Sequence, residues 1–359
     1  MSPLTRAAGL VLTALLPGVA RADTLTLVAG GGDGPDGSPA AAARLVAPFA
    51  VGFAADGGVY VAEMKGERLR KVLPGGTVVT LAGTGRAGDG GDGGPGPKAE
   101  FHGMHGLAVG PDGLVYLADT WNNRVRRFDP KTGTVTAFAG TGAKGFGGDG
   151  GPAVRAVFGG VYSVALDPAG KALVVADLDN RRVRVIDAAT GVVKTVAGNG
   201  KKGVPADGAP ATEQPLVDPR AAAADAAGNV YVLERNGHAL RVVGRDGRVR
   251  TVAGTGKPGA AGVGGPALAA AMNGPKHLSV DRDGTVLIAD TENHRVLRYV
   301  PADGTLRLVA GTGTKGSTGL GGDPRRAELS QPHGVLAHPT TGDTYIADSG
   351  NDRVLRIGR

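Results

Sequence analysis

The side chains best suited to chemistry share one place in an internal repeat: Phe49, His105, Tyr162, Arg220, Lys276 and His333. That place varies freely, while the segments behind it repeat closely. His277 follows it by one residue in the fifth copy. Imidazoles that converge on one point can hold zinc or another transition metal and leave a position open for water. On that reading His105, His277 and His333 are the ligands. The plainer reading is that each histidine starts a strand and hydrogen-bonds the adjoining loop. Trp121, the single tryptophan, falls in a loop on the same side. An exposed indole there could anchor a partner, or it could pack on the neighbouring glycine-rich loop.

The elements that must position these residues follow from the repeat. A tripeptide returns six times: Val28-Ala29-Gly30, Leu81-Ala82-Gly83, Phe138-Ala139-Gly140, Val196-Ala197-Gly198, Val252-Ala253-Gly254 and Val309-Ala310-Gly311, at intervals of 53 to 58 residues. Repeats of this length bury their apolar faces only against their neighbours. Each copy holds four short strand-like runs. In the second these are Gly106 to Val109, Leu114 to Ala118, Arg124 to Phe128 and Thr134 to Ala139. The turns Gly110-Pro111-Asp112-Gly113 and Asp129-Pro130-Lys131-Thr132-Gly133 separate them. The runs alternate or are continuously apolar and rich in valine, as strands are. Four antiparallel strands in six copies predict an all-β fold, a six-bladed β-propeller over residues 23–359. The chain begins on a fourth-strand type, Thr24 to Ala29, and ends on a third-strand type, Arg353 to Ile357. The N-terminal strand is therefore expected to complete the last blade and close the ring.

The unit resembles the NHL repeat of secreted bacterial propellers. The resemblance rests on residues 106–126, Gly-Leu-Ala-Val-Gly-Pro-Asp-Gly-Leu-Val-Tyr-Leu-Ala-Asp-Thr-Trp-Asn-Asn-Arg-Val-Arg, and on Leu-Ile-Ala-Asp-Thr-Glu-Asn-His-Arg-Val-Leu-Arg at 287–298. The loop at 139–153, Ala-Gly-Thr-Gly-Ala-Lys-Gly-Phe-Gly-Gly-Asp-Gly-Gly-Pro-Ala, is similar to the extended glycine-rich variety. It covers residues 24–359 and speaks for fold far more than for function, because such propellers serve as enzymes, sensors, adhesion modules and RNA binders. In outline the chain also resembles the peptide-amidating lyase propeller, in which three histidines hold zinc. That resemblance implies His105, His277 and His333 as ligands, Tyr162 as general acid or base, and Arg220 as an anion clamp. Sugar-lactone hydrolases share the shape, but no matching set of metal-binding acids is present.

Strand order puts the long fourth-to-first loops and the second-to-third loops on one face, where binding usually resides. An acid ends each second run and an arginine follows five residues later: Glu63 and Arg68, Asp119 and Arg124, Asp177 and Arg182, Asp290 and Arg295, Asp348 and Arg353. The fourth copy departs, with Glu234 and His238. Recurrence favours a structural ion pair or cap over a catalytic carboxylate. Asn123, Asn180, Asn236, Asn293 and Asn351 read as turn residues. Asp89, Asp92 and Asp149 stand among glycines and could be read as calcium ligands, but they lack an EF-hand's acid spacing and closing glutamate. The Gly-x-Gly runs precede no helix that could hold a phosphate. Ser163 and Ser279 carry no signature of an activated nucleophile.

Composition narrows the classes further. Glycine (64) and proline (23) make up about a quarter of 359 residues, yet the glycines are periodic and mark turns. There is no cysteine, which excludes disulfides, thiolate metal sites and a cysteine nucleophile. Arg6, the apolar stretch Ala7 to Leu16, the Pro17-Gly18 break and Ala20-Arg21-Ala22 read as an export signal over residues 1–22. The apolar run is too short to span a bilayer. Losing Arg6 and Arg21 lowers the formal charge from +7 by two, a surplus that suits anionic surfaces. Aromatics at 4% supply few stacking platforms for nucleic acid.

Together these features predict an exported, periplasmic or secreted, monomeric binding module. Its partner would be a protein, peptide or envelope polymer held on the long-loop face, with Phe49, His105, Tyr162, Arg220, Lys276, His333 and Trp121 as the contacts. Neither nucleic acid nor a membrane span is expected. The alternative is a metal-dependent lyase or hydrolase at the channel mouth, with zinc or calcium as the candidate cofactors. A third reading is a purely structural spacer.

Overall fold

Valine-rich runs become strands at four places in each repeat, and tight turns return the chain between them. In the computed structural model, which describes residues 23–358, the second repeat forms strands Met104–Val109, Val115–Asp119, Arg124–Asp129 and Thr134–Ala139. Its first turn closes when the Gly110 amide donates to the Leu114 carbonyl at 2.8 Å. Gly113 sits there at φ +86°, a region that costs only glycine little. The expected export segment at residues 1–22 lies outside the described residues.

Six such sheets form. The first strands pack side by side in a closed ring, with Gly334–Ala337 of blade six against Pro48–Phe53 of blade one. The sixth sheet is completed from the other end of the chain. Strand Thr24–Gly30 pairs antiparallel with Arg353–Gly358, placing Leu25 opposite Ile357 and Leu27 opposite Leu355. The architecture is the expected all-β, six-bladed propeller of four-stranded antiparallel blades.

Apolar side chains fill the space between adjacent blades. Leu69, Phe101, Met104, Leu117 and Phe128 form one such cluster between blades one and two. Burying one side chain of this size contributes about 1.5–3 kcal/mol. Two features went unexpected. Gly94–Pro95 adds a two-residue strand beside Thr134 and Val135 on the outer edge of blade two. Three-residue 3-10 turns, such as Ala40–Ala42 and Ala153–Arg155, punctuate the long loops. They are too short to show any helical period. Among the described residues no helix is long and apolar enough to cross a membrane.

Candidate functional site

The acid at the end of each second strand anchors the long-loop face. Glu63, Asp119, Asp177, Glu234, Asp290 and Asp348 are fully buried. Each carboxylate accepts a backbone amide from the loop before the first strand: Val46, His102, Gly159, Val217, Asn273 and Ser330, at 2.5 to 2.9 Å. The structural reading of these acids therefore holds.

Their ion pairs differ from the expected spacing. The arginine five residues on makes the contact in blades five and six, where Asp290–Arg295 and Asp348–Arg353 both span 2.7 Å. In blades one, three and four the partner lies seven residues on: Glu63–Arg70 at 3.3 Å, Asp177–Arg184 at 3.7 Å and Glu234–Arg241 at 2.8 Å. Asp119 in blade two reaches both Arg124 and Arg126. Residues two apart on a strand share a face, so either arginine can reach the acid. Blade four thus conforms through Arg241, and His238 has another task.

The glycine-flanked aspartates are the counter-ions of these same arginines. Asp36 pairs with Arg70 at 3.1 Å, Asp92 with Arg126 at 2.8 Å and Asp149 with Arg184 at 2.7 Å. The calcium reading of Asp89, Asp92 and Asp149 is corrected accordingly. Two of the carboxylates are held by guanidinium groups, while the backbone carbonyl of Asp89 accepts from Arg124. In blade five Val263 and Leu297 stand at the places of the loop acid and the arginine, packed in one apolar cluster. A sequence reader could find this pairing, because the two places change type together.

A second clasp joins five of the six blades to the next. Glu67, Asn123, Arg181, His238, His294 and Asp352 occupy one place in the six second-to-third loops, all at φ between +45° and +52°. Five of them accept an amide just before the next blade's first strand. Glu67 takes Gly103 at 2.8 Å, Asn123 takes Gly160 at 3.0 Å and His238 takes Gly274 at 3.2 Å. His294 takes Gln331 at 3.1 Å and Asp352 takes Ala47 at 2.7 Å. Asn123 is therefore an interblade acceptor. The turn amide that bonds the acid in blades two, three, five and six belongs to Asn122, Asn180, Asn293 and Asn351.

Two residues beyond this clasp the chain reaches the channel mouth. In blades one to four the ladder register slips at Phe49, His105, Tyr162 and Arg220. A bulge of this kind re-aims the side chain of the extra residue. The result is a packed arc. The Phe49 ring stacks on His333 at 3.7 Å and meets His105 edge-on at 5.1 Å. His105 lies 4.8 Å from the Tyr162 ring, over which the Arg220 guanidinium sits at 4.4 Å. Lys276 turns aside to Glu292, at 2.7 Å. Phe49, His105 and Arg220 are buried at the mouth, whereas Tyr162, Lys276 and His333 are partly exposed.

The three histidines do not assemble a metal centre. Phe49 stands between His105 and His333, and the Nδ1 of His277 accepts the Val335 amide at 3.4 Å. Among the described residues no three histidine, aspartate or glutamate side chains gather closely enough to hold a metal ion. His105 Nδ1 lies 2.7 Å from the Gly103 carbonyl and His333 Nδ1 lies 3.0 Å from the Gln331 carbonyl. A carbonyl only accepts, so both rings carry their proton on Nδ1. Burial, then the nearby Arg220 and Lys276, holds both imidazoles well below the usual histidine range, hence uncharged. Burial also lowers Lys276, and it lowers Arg220 to about 9. Arg220 Nε has no hydrogen-bond partner. The mouth thus combines neutral rings with a desolvated, under-paired guanidinium, which can receive an anionic or acceptor group.

Trp121 is exposed and at the same time packed on the neighbouring loop. It is 47% exposed, and its indole lies so close over Gly103 that a Cβ there would meet ring carbons at 2.4 Å. Phe146 is a second exposed ring in the long loop between blades two and three, with the Arg182 guanidinium stacked on it at 3.7 Å. The sequence reading missed it, because it lies in a loop that otherwise reads as turn.

Residues 106–262 match the teneurin NHL domain, and residues 272–299 match the NHL repeat. Teneurin-3 of Danio rerio is 26% identical over 350 residues, covering 88% of this chain and 12% of that protein. SUPPRESSOR OF QUENCHING 1, chloroplastic, of Arabidopsis thaliana is 25% identical over 272 residues, covering 72% of this chain and 25% of that protein. The chain spans a quarter or less of the length of these curated relatives. Among solved structures, a protein of unknown function from Bacteroides thetaiotaomicron superposes with a TM-score of 0.69 at 17% identity, over 94% of this chain and 76% of that one. An auxiliary nutrient binding protein from Bacteroides ovatus gives 0.67 at 14% identity, with the same coverage. Six four-stranded blades make the chain a six-bladed β-propeller, and the matches to the NHL repeat and to the teneurin NHL domain support an NHL-repeat protein.

Proposed function

We propose that the chain is an exported binding module. It holds a protein, peptide or envelope polymer on the long-loop face, with Trp121 as anchor and an acidic group of the partner set against Arg220. One observation carries this reading. Arg220 is 4% exposed at the channel mouth, and its Nε lacks a partner. A buried charge without full pairing is costly, and an incoming carboxylate or phosphate relieves that cost. The surrounding His105 and His333 are uncharged, so they offer ring surface without competing for the anion. The exposed Trp121 and Phe146 add apolar contact on the same face. The lyase or hydrolase reading has no comparable support, since its histidines stand apart. Export rests on the sequence of residues 1–22, and the thin supply of aromatics argues for a partner other than nucleic acid.

The test is affinity capture from a cell-envelope extract with the wild-type chain and with a Trp121→Ala/Arg220→Met double variant. Partners captured by the wild type and lost by the folded double variant are the expected result. Retention of every partner by the variant would sink the proposal.

A further inference from the structure

The channel also opens at its opposite end. A cavity of about 650 Å³ opens on the short-turn side, walled by Val51, Phe53, Leu107, Val109, Leu166 and Leu336. Its volume falls within the range typical of small-molecule sites. The wall is mostly apolar, with its polar side chains concentrated on blade five. At the place where blades one to four and six carry Ala50, Gly106, Ser163, Ala221 and Gly334, blade five carries His277. Two residues on, where the others carry Gly52, Ala108, Ala165, Ala223 and Leu336, blade five carries Ser279. A residue that breaks an otherwise close repeat is not required by the fold, since five other blades form without it.

Both side chains have hydrogen-bonding capacity left over. Ser279 is 6% exposed, lines the cavity, and its Oγ has no partner. A buried hydroxyl in that state is rare and calls for an explanation. His277 also lines the cavity, and its Nδ1 accepts the Val335 amide. Burial pushes its pKa down to about 4, so the ring is neutral at physiological pH and carries its proton on Nε2. No protein group accepts that proton among the described residues. The blade therefore offers two donors to the same space. Asp225, Asp281 and Asp283 line the cavity with Arg282, so acids outnumber bases there and an anion is disfavoured.

We propose that this cavity is a second binding site, for a small uncharged molecule that is largely apolar and carries one hydrogen-bond-accepting oxygen, a ketone or ester, seated at Ser279 Oγ and His277 Nε2. The site lies on the short-turn side, away from the long-loop face, and its His277 feels the charge of Arg220 at the mouth. It would allow the propeller to carry a small ligand while its other face holds a partner.

Ligand-observed NMR titration of 2-octanone into the whole chain tests it, with octanoate as the charged comparison. The variants are Ser279→Ala and His277→Ala, each residue already present at that place in another blade. Ala165→Leu fills the cavity as Leu336 does in blade six, and Trp121→Ala serves as a long-loop control. Saturable binding is expected, with affinity reduced about five- to tenfold by each polar truncation. Ala165→Leu should abolish it, Trp121→Ala should leave it unchanged, and octanoate should bind more weakly than the ketone. Circular dichroism confirms folding of each variant. If Ala165→Leu fails to fold, the two truncations decide. Absence of saturable binding, equal affinity in wild type and both truncations, or tighter binding of octanoate would overturn the proposal.

Discussion

The Asp352 carboxylate accepts the backbone amide of Ala47 at 2.7 Å, tying the sixth blade to the first. It works beside the strand pairing of Thr24–Gly30 with Arg353–Gly358, so the ring is closed twice. Removing the acceptor leaves a buried amide unpaired, at a cost of about 1–3 kcal/mol. Asp352→Ala should therefore lower the urea midpoint, while Asp352→Asn, which keeps both an acceptor and tolerance for positive φ, should recover most of the loss. An unchanged midpoint in Asp352→Ala would show that strand pairing alone closes the ring.

Blade three breaks the same pattern. Arg181 holds the acceptor's place at φ +47° but can only donate. Its Nε and the Oδ1 of Asp218, in the facing segment of blade four, are both buried without partners. The junction of blades three and four is thus the least satisfied in the ring, and Arg220 lies two residues beyond it. Arg181→Asn would reproduce the Asn123 clasp and favour the left-handed conformation. A gain of roughly 1 kcal/mol in unfolding free energy is expected. Slower hydrogen exchange in residues 216–222 should accompany it. A loss of stability would mean that Arg181 already has a structural role where it stands.

Glu67 makes the clasp between blades one and two sensitive to pH. Burial raises its pKa from 4.5 to about 7, so between those values the folded chain holds a proton that the unfolded chain has released. Stability from this group is complete below about pH 4.5 and falls as pH rises through 7. Glu67→Gln keeps an acceptor for the Gly103 amide and removes the titration. It should be more stable than the wild type at pH 8, by an amount on the order of 2 kcal/mol, and nearly equal to it at pH 5. Thermal unfolding at the two pH values measures the difference. A variant whose advantage does not grow with pH would show that Glu67 is not the titrating group.

The fold was legible because its signals are local and sixfold. The Val-Ala-Gly period, the glycine turns and the valine runs each describe a single strand or turn, and repetition removes the noise of any one copy. Closure by Thr24 to Ala29 followed from counting strand types. The site was legible only in part. The alignment that groups Phe49, His105, Tyr162 and Arg220 is correct because all four sit at one bulge. Spacing along the chain, however, says nothing about what lies between two histidines on different blades. Phe49 occupies that space, stacking on His333 and meeting His105 edge-on. The acid–arginine pairs show the same limit on a smaller scale. Blades one to three carry an arginine at both places and blades four to six at only one, so the partner is fixed by the sequence in the latter and by contacts across the gap in the former.

By itself, then, the sequence determined the repeat, the strand count, the way the ring closes and the places where blades differ. Those properties depend on neighbours a few residues apart or on the period itself. Only the tertiary structure decided where the cavity forms and which buried polar groups lack partners. It also decided which loop residue clasps the next blade. Each of these depends on side chains from different blades meeting in space, over separations that no local pattern encodes.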